Sequence, residues 1–271
     1  MNWRGLARKN FRDAIRSRTV AVLLVGFLLL YLAIGYAGVR LVAAEFDGVV
    51  SLVGLTTVFL VPIASLGVGY KSIVDARSSG SIALALSLPH SRLDLAVGTF
   101  VGRAGVIVAP LVAGLLGAAV VASVLTEPPP AAYLPMVLVT VLYGLAFLGI
   151  GVGLSLGVTT SRRATVAAFG AYVLFTTLYD QLIEAIVLIL FRFDGSAVAR
   201  LPDWARLAQH LGPAQAYAYA VSELFPIGLA EEFTTSAPPE WFSVPVAALV
   251  LLGWIGGSLA IGYRRFRRAE L

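Results

Sequence analysis

Six stretches of 19 to 31 residues carry almost no charge: 20–39, 52–70, 95–125, 133–158, 164–183 and 244–263. A bilayer core about 30 Å thick takes roughly 20 apolar residues as a helix, in which every backbone amide finds its partner within the segment. The chain is therefore expected to be an all-α integral membrane protein with six transmembrane helices. Composition agrees, with 59% hydrophobic and 13% charged residues against about 45–50% and about 25% in soluble domains. The first run lacks a small-residue cleavage site and follows an arginine-rich segment, so it reads as a retained helix rather than a signal peptide.

Charge sets the expected orientation. Fifteen of the 20 basic residues fall before the first run, after the last, or in the connections between runs two and three and between runs four and five. Only Arg40, Arg192, Arg200 and Arg206 fall on the other side, together with nine acids. By the positive-inside rule both termini are expected in the cytoplasm of a multi-pass cell-membrane protein. The net charge of +5 is then a topology signal, and no nucleic-acid partner is expected.

Residues 2–17 alternate Trp3, Leu6, Ala7, Phe11, Ala14 and Ile15 with arginines at helical spacing. This predicts an amphipathic helix lying on membrane lipid, or a simple basic anchor. Run three would be about 46 Å long as a straight helix, so Pro110 near its middle predicts a kink. Asp180 and Glu184 interrupt the next-to-last run, which predicts that the span ends near Ile183 and that 185–193 forms a re-entrant or interfacial piece. An outward segment, 184–243, is expected to place Trp204, Tyr217, Tyr219, Phe225, Trp241 and Phe242 against the outer membrane surface.

Few residues invite chemistry. Gly153-Leu-Ser155-Leu-Gly157 has the serine-elbow pattern but ends an apolar helix, where the elbow needs a strand before it. Rhomboid intramembrane proteases also carry a serine on the fourth of six spans, paired with a histidine on the sixth; here the histidines are His90 and His210, outside the spans. Gly149, Gly153 and Gly157 recur every four residues and predict close helix packing instead. Residues 67–72 lack the glycines of a phosphate loop. Arg103 lies inside run three, and Asp180 and Glu184 lie at the end of run five; the three form a candidate polar site, with snorkelling of Arg103 and solvation of the acids as alternatives. With no cysteine, two histidines and two methionines, no metal site and no soft-metal pathway are expected.

In the connection between runs two and three, Asp75 and Arg77 offer charges and Leu84, Leu86 and Leu88 an apolar surface to a partner, with an ordinary cytoplasmic hairpin as the alternative. Its Ile73, Arg77, Gly80, Ser81, Leu86, Pro89, Arg92 and Gly98 resemble the pattern of type-two ABC exporter permeases, especially the NosY-like branch. Two positions depart from the family pattern, with Ala76 where a glutamate is usual and Thr99 where a lysine is usual. The resemblance extends over nearly the whole chain. It implies one transmembrane permease domain, 1–271, with a cytoplasmic coupling loop at 71–94 seated on a separate ABC ATPase subunit. It also implies a permease homodimer, no cofactor on this chain, and ATP with magnesium on the partner. The branch includes permeases associated with maturation of a copper enzyme, yet the thiol-free, methionine-poor spans argue against direct passage of copper. The expected function is thus a non-catalytic membrane subunit of an ATP-driven exporter. A rhomboid-like serine hydrolase and an ion-coupled carrier working through Asp180 and Glu184 are the alternatives.

Overall fold

The computed structural model describes residues 5, 18–41, 45–78, 91–225, 227, 229–234 and 236–268. Most of the expected amphipathic helix, 2–17, and the loop positions Gly80, Ser81, Leu84, Leu86, Leu88 and Pro89 lie outside the described residues. Every regular element among the described residues is helical. In chain order the helices are α1 (Arg18–Leu41), α2 (Phe46–Gly69), the short α3 (Val74–Ser78), α4 (Arg92–Leu125), α5 (Tyr133–Gly157) and α6 (Ser161–Leu190). They continue as α7 (Gly195–Ala199), α8 (Asp203–His210), α9 (Pro213–Leu224) and α10 (Val244–Arg268).

Among the described residues five helical stretches are long and apolar enough to cross a membrane: Phe46–Arg77, α4, α5, α6 and α10. The sequence predicts six. The remaining run, 20–39, lies within α1, a 24-residue helix of which the stretch Val25–Leu41 is apolar. α1 belongs to the bundle, packing broadly along α4. Gly35 and Gly114 make that approach possible, since a Cβ on Gly35 would stand 2.9 Å from the Ala118 carbonyl and one on Gly114 2.6 Å from the Tyr31 ring.

α5 is the axis of the fold. Apolar on all sides, it is buried on nearly all sides, against α2, α4, α9 and α10. Its polar residues are tied off where they meet neighbours. The Tyr143 hydroxyl donates to the Val58 carbonyl on α2 at 2.8 Å, and Tyr133 donates to Leu115 on α4 at 2.7 Å. Each such buried bond contributes about 1 kcal/mol, and each fixes one rotation of a helix about its axis.

α4 begins at a capping box, in which Ser91 accepts from the Asp94 amide and the Asp94 carboxylate accepts from the Ser91 amide. The helix then passes through Pro110 as one element of 34 residues. α6 also runs further than its sequence suggests. After Val173 it takes one π-helical turn, Leu174–Leu178, and then resumes through Leu190, so 185–193 is not set apart from the span. The cause is packing. Ile183 and Val187 lie one turn apart on the face that meets Ala205 of α8, and this contact holds the last turns helical. Arg192 and Phe193, with φ of 56° and 64°, end the helix in left-handed conformation, where the Phe193 amide returns to the Leu188 carbonyl at 2.7 Å.

The largest departure concerns the segment after α6. Trp204 and Trp241 are exposed as expected of a surface layer, but Tyr217, Tyr219, Phe225 and Phe242 are buried. α9 packs into the bundle against α5, α10 and α2. The Tyr217 ring stacks on Tyr143 with centroids 4.4 Å apart, at a point about 15 Å along α5 from its start. Ala214, Ala216, Ala218 and Ala220, all buried, make α9 thin enough to fit there.

Candidate functional site

The end of the bundle that carries Arg77, Arg92, Arg162, Arg163 and Arg264 to Arg268 brings helix ends together around α3. α3 is too short to be stable alone and is held from outside. The Ser155 hydroxyl oxygen, fully buried on α5, accepts hydrogen bonds from the Ile73 amide at 2.9 Å and the Val74 amide at 3.1 Å. A side-chain oxygen from another helix, 82 residues away in sequence, thus does the work of an N-cap.

Arg77 closes the other end of the same contact. Its guanidinium donates to the Val158 carbonyl at 3.1 Å and the Leu156 carbonyl at 3.4 Å, both at the C-terminus of α5, where unpaired carbonyls favour a cation. Its plane lies 5.2 Å from the Phe266 ring of α10. Arg92, at the start of α4, lies 5.5 Å from that ring and donates to the Phe266 and Arg267 carbonyls at 2.8 and 3.0 Å. Asp75 accepts from the Ser161 hydroxyl at 2.6 Å, which ties α3 to the first residue of α6. Ala76, where the resembling family has glutamate, packs against the apolar cluster built on Ile73, Ala96 and Phe266. The entry to the loop is therefore attached to α4, α5, α6 and α10 together.

The other residues singled out by sequence separate in space. Arg103 donates to the Val68 carbonyl and lies within electrostatic reach of Asp75, so it belongs to the arginine-rich end. Asp180 and Glu184 lie on α6 towards the opposite end, with Asp180 facing Gln215 of α9. The three do not form one polar site. Gly149 and Gly153 meet α10 directly: a Cβ on Gly149 would stand 3.1 Å from Ile255 Cα, and one on Gly153 would overlap the Ser258 carbonyl. At Gly157 the nearest atom is the flexible Arg265 Cδ at 3.3 Å.

Ser155, Ser161 and Phe266 are the site residues that sequence reasoning missed in these roles. By sequence Ser155 stands out only as the serine of the elbow pattern, and no local pattern pairs Phe266 with arginines more than 170 residues away. The geometry at Ser155 is that of an acceptor for backbone amides. His210 lies on α8 among Tyr219 and Phe242, with its Nδ1 on the Arg206 carbonyl. Burial holds its pKa below the usual histidine range, and that one backbone bond opposes the shift. His90 lies outside the described residues. Among the described residues no three His, Cys, Asp or Glu side chains gather as a metal site would require.

The described helices form an apolar, membrane-type bundle whose polar contacts gather around α3. The match to known proteins is specific. The model of the ABC-2 family transporter proteins covers residues 4–271. A probable ABC transporter permease protein, NosY, of Pseudomonas aeruginosa is 29% identical, with 98% of each chain covered. Its counterpart from Stutzerimonas stutzeri is 27% identical over 97% of each. The chain belongs to the ABC-2 transporter family and is a membrane-embedded permease.

Proposed function

We propose that the chain is the membrane subunit of an ATP-driven exporter, pairing with a second copy while separate ATPase subunits, carrying ATP and magnesium, dock at its arginine-rich end. On this reading that end, with both chain termini, faces the cytoplasm, and α3 with residues 79–90 forms the element that receives the ATPase. The supporting observation is the attachment of α3: Ser155, Arg77 and Asp75 bind it to the ends of α5 and α6, beside Phe266 of α10. A push on the loop then displaces several spans as bodies rather than bending one connection. Leu84, Leu86 and Leu88 supply apolar surface to the ATPase, and Gly80, Ser81 and Pro89 bracket that surface. The chain itself performs no hydrolysis.

The test is co-purification and ATP hydrolysis with the ATPase subunit after two changes, Arg77→Ala and replacement of Leu84, Leu86 and Leu88 by serine. Loss of assembly or of cargo-stimulated hydrolysis is expected from each. Full assembly and full activity after both would remove the coupling assignment.

A further inference from the structure

Polar side chains in the bundle are mostly paired, as Tyr31 with Thr57 at 2.7 Å and Tyr143 with the Val58 carbonyl. Among the described residues Asp180 is the carboxyl group with both oxygens buried and without a hydrogen bond of good geometry. The residue is 6% exposed. Gln215 meets it from α9 closely enough to act on the carboxyl group, is itself 3% exposed, and has an unpartnered Oε1.

Both line a cavity of about 250 Å³ between α2, α6 and α9, together with Thr176, Glu232, Phe59 and Phe233. The π-helical turn Leu174–Leu178 immediately precedes Asp180. Such turns shift helical register locally and recur at functional sites. No lysine or arginine lines the cavity, and Glu184, one turn beyond Asp180, adds to its negative potential.

A buried carboxyl group met only by a neutral amide is costly to ionise, and a cation held against it lowers that cost. The lining says which kind. Phe59 and Phe233 both line the cavity, side by side in tilted ring contact, and aromatic rings attract a weakly hydrated cation. The volume is several times the roughly 30 Å³ share of one water, more than a bare metal ion needs. We propose that this cavity binds a substituted ammonium group, with Asp180 as its counter-ion, Phe59 and Phe233 as its walls and Glu232 at its mouth. That the group belongs to transported cargo, making the cargo an amphipathic amine, rests on the transporter reading; the binding does not.

The experiment is equilibrium binding of radiolabelled benzyltrimethylammonium to the full chain in lipid nanodiscs, without any ATPase. Saturable binding is expected, displaced by the unlabelled cation and not by neopentylbenzene, its neutral carbon counterpart. Asp180→Asn, nearly isosteric, should weaken binding at least about tenfold, the usual order for loss of a desolvated charge partner. Phe233→Leu should weaken it about three- to tenfold with Asp180 in place. Arg77→Lys, at the far end, should leave binding unchanged even where it impairs coupling, so the two readings fail separately. Absence of saturable binding by the unaltered chain would overturn the proposal. Equal affinity in Asp180→Asn, or complete displacement by 1 mM calcium or by neopentylbenzene, would do the same.

Discussion

Replacing Ser155 by alanine tests the central contact of the site. The change removes one oxygen and adds no volume, so α5 keeps its packing. It leaves the Ile73 and Val74 amides, whose bonds to Ser155 are buried, without that acceptor. Loss of a side-chain cap costs about 1 kcal/mol, and a buried amide left unpaired costs about 1–3 kcal/mol. With two amides affected and partial entry of water, about 3 kcal/mol is a fair central value for local opening of α3. That corresponds to a rise in the open population on the order of a hundredfold. Hydrogen exchange with mass spectrometry on the chain in nanodiscs reads this directly. Peptides spanning 70–78 should lose protection by about that factor, while peptides from the middle of α10 should not change. Ser258→Ala is the control, because that hydroxyl bonds only carbonyls of its own helix, Trp254 and Ile255. A change under about threefold for Ser155→Ala would mean that α3 is held by other contacts, and the capping argument would fail.

Glycine substitutions should divide sharply. Gly153→Ala drives a Cβ into the Ser258 carbonyl and is expected to lower the thermal midpoint by several degrees, whereas Gly256→Ala, with open space around it, should be neutral or stabilising by up to about 1 kcal/mol. Arg77→Lys should weaken coupling nearly as much as alanine does, because an ammonium cannot match the forked contact to the Leu156 and Val158 carbonyls. His210, whose pKa burial lowers, contributes stability above the unfolded-state value of about 6.5 and loses it as pH falls. Proteolysis of the α8–α9 region should accelerate below that pH, and His210→Phe should flatten the profile. A fluorophosphonate probe should leave Ser155 unlabelled; labelling would revive the hydrolase reading.

Much of the bundle was legible because helix and bilayer impose lengths that composition alone reveals. α2, α4, α5 and α10 lie where the apolar runs lie. The glycines at 149 and 153 face α10, and a four-residue period of small side chains has few other uses. The end of α6 was not legible. Two acids in an apolar run look like a boundary in water, but the face bearing Ile183 and Val187 has α8 to pack on, and no local rule shows that. The same limit hid α9, whose tyrosines and phenylalanines look interfacial until Tyr217 is seen stacked on Tyr143.

By itself the sequence determined that the chain belongs in lipid, that its arginines crowd one end, and that its loop matches one transporter family. These follow from solvation and local chemistry, properties of residues taken in order. Tertiary structure alone decided that Ser155 caps α3, that Phe266 collects Arg77 and Arg92, and that Asp180 meets Gln215 in a cavity. Each of these joins residues at least 35 positions apart, through packing angles and a π turn that no linear period encodes.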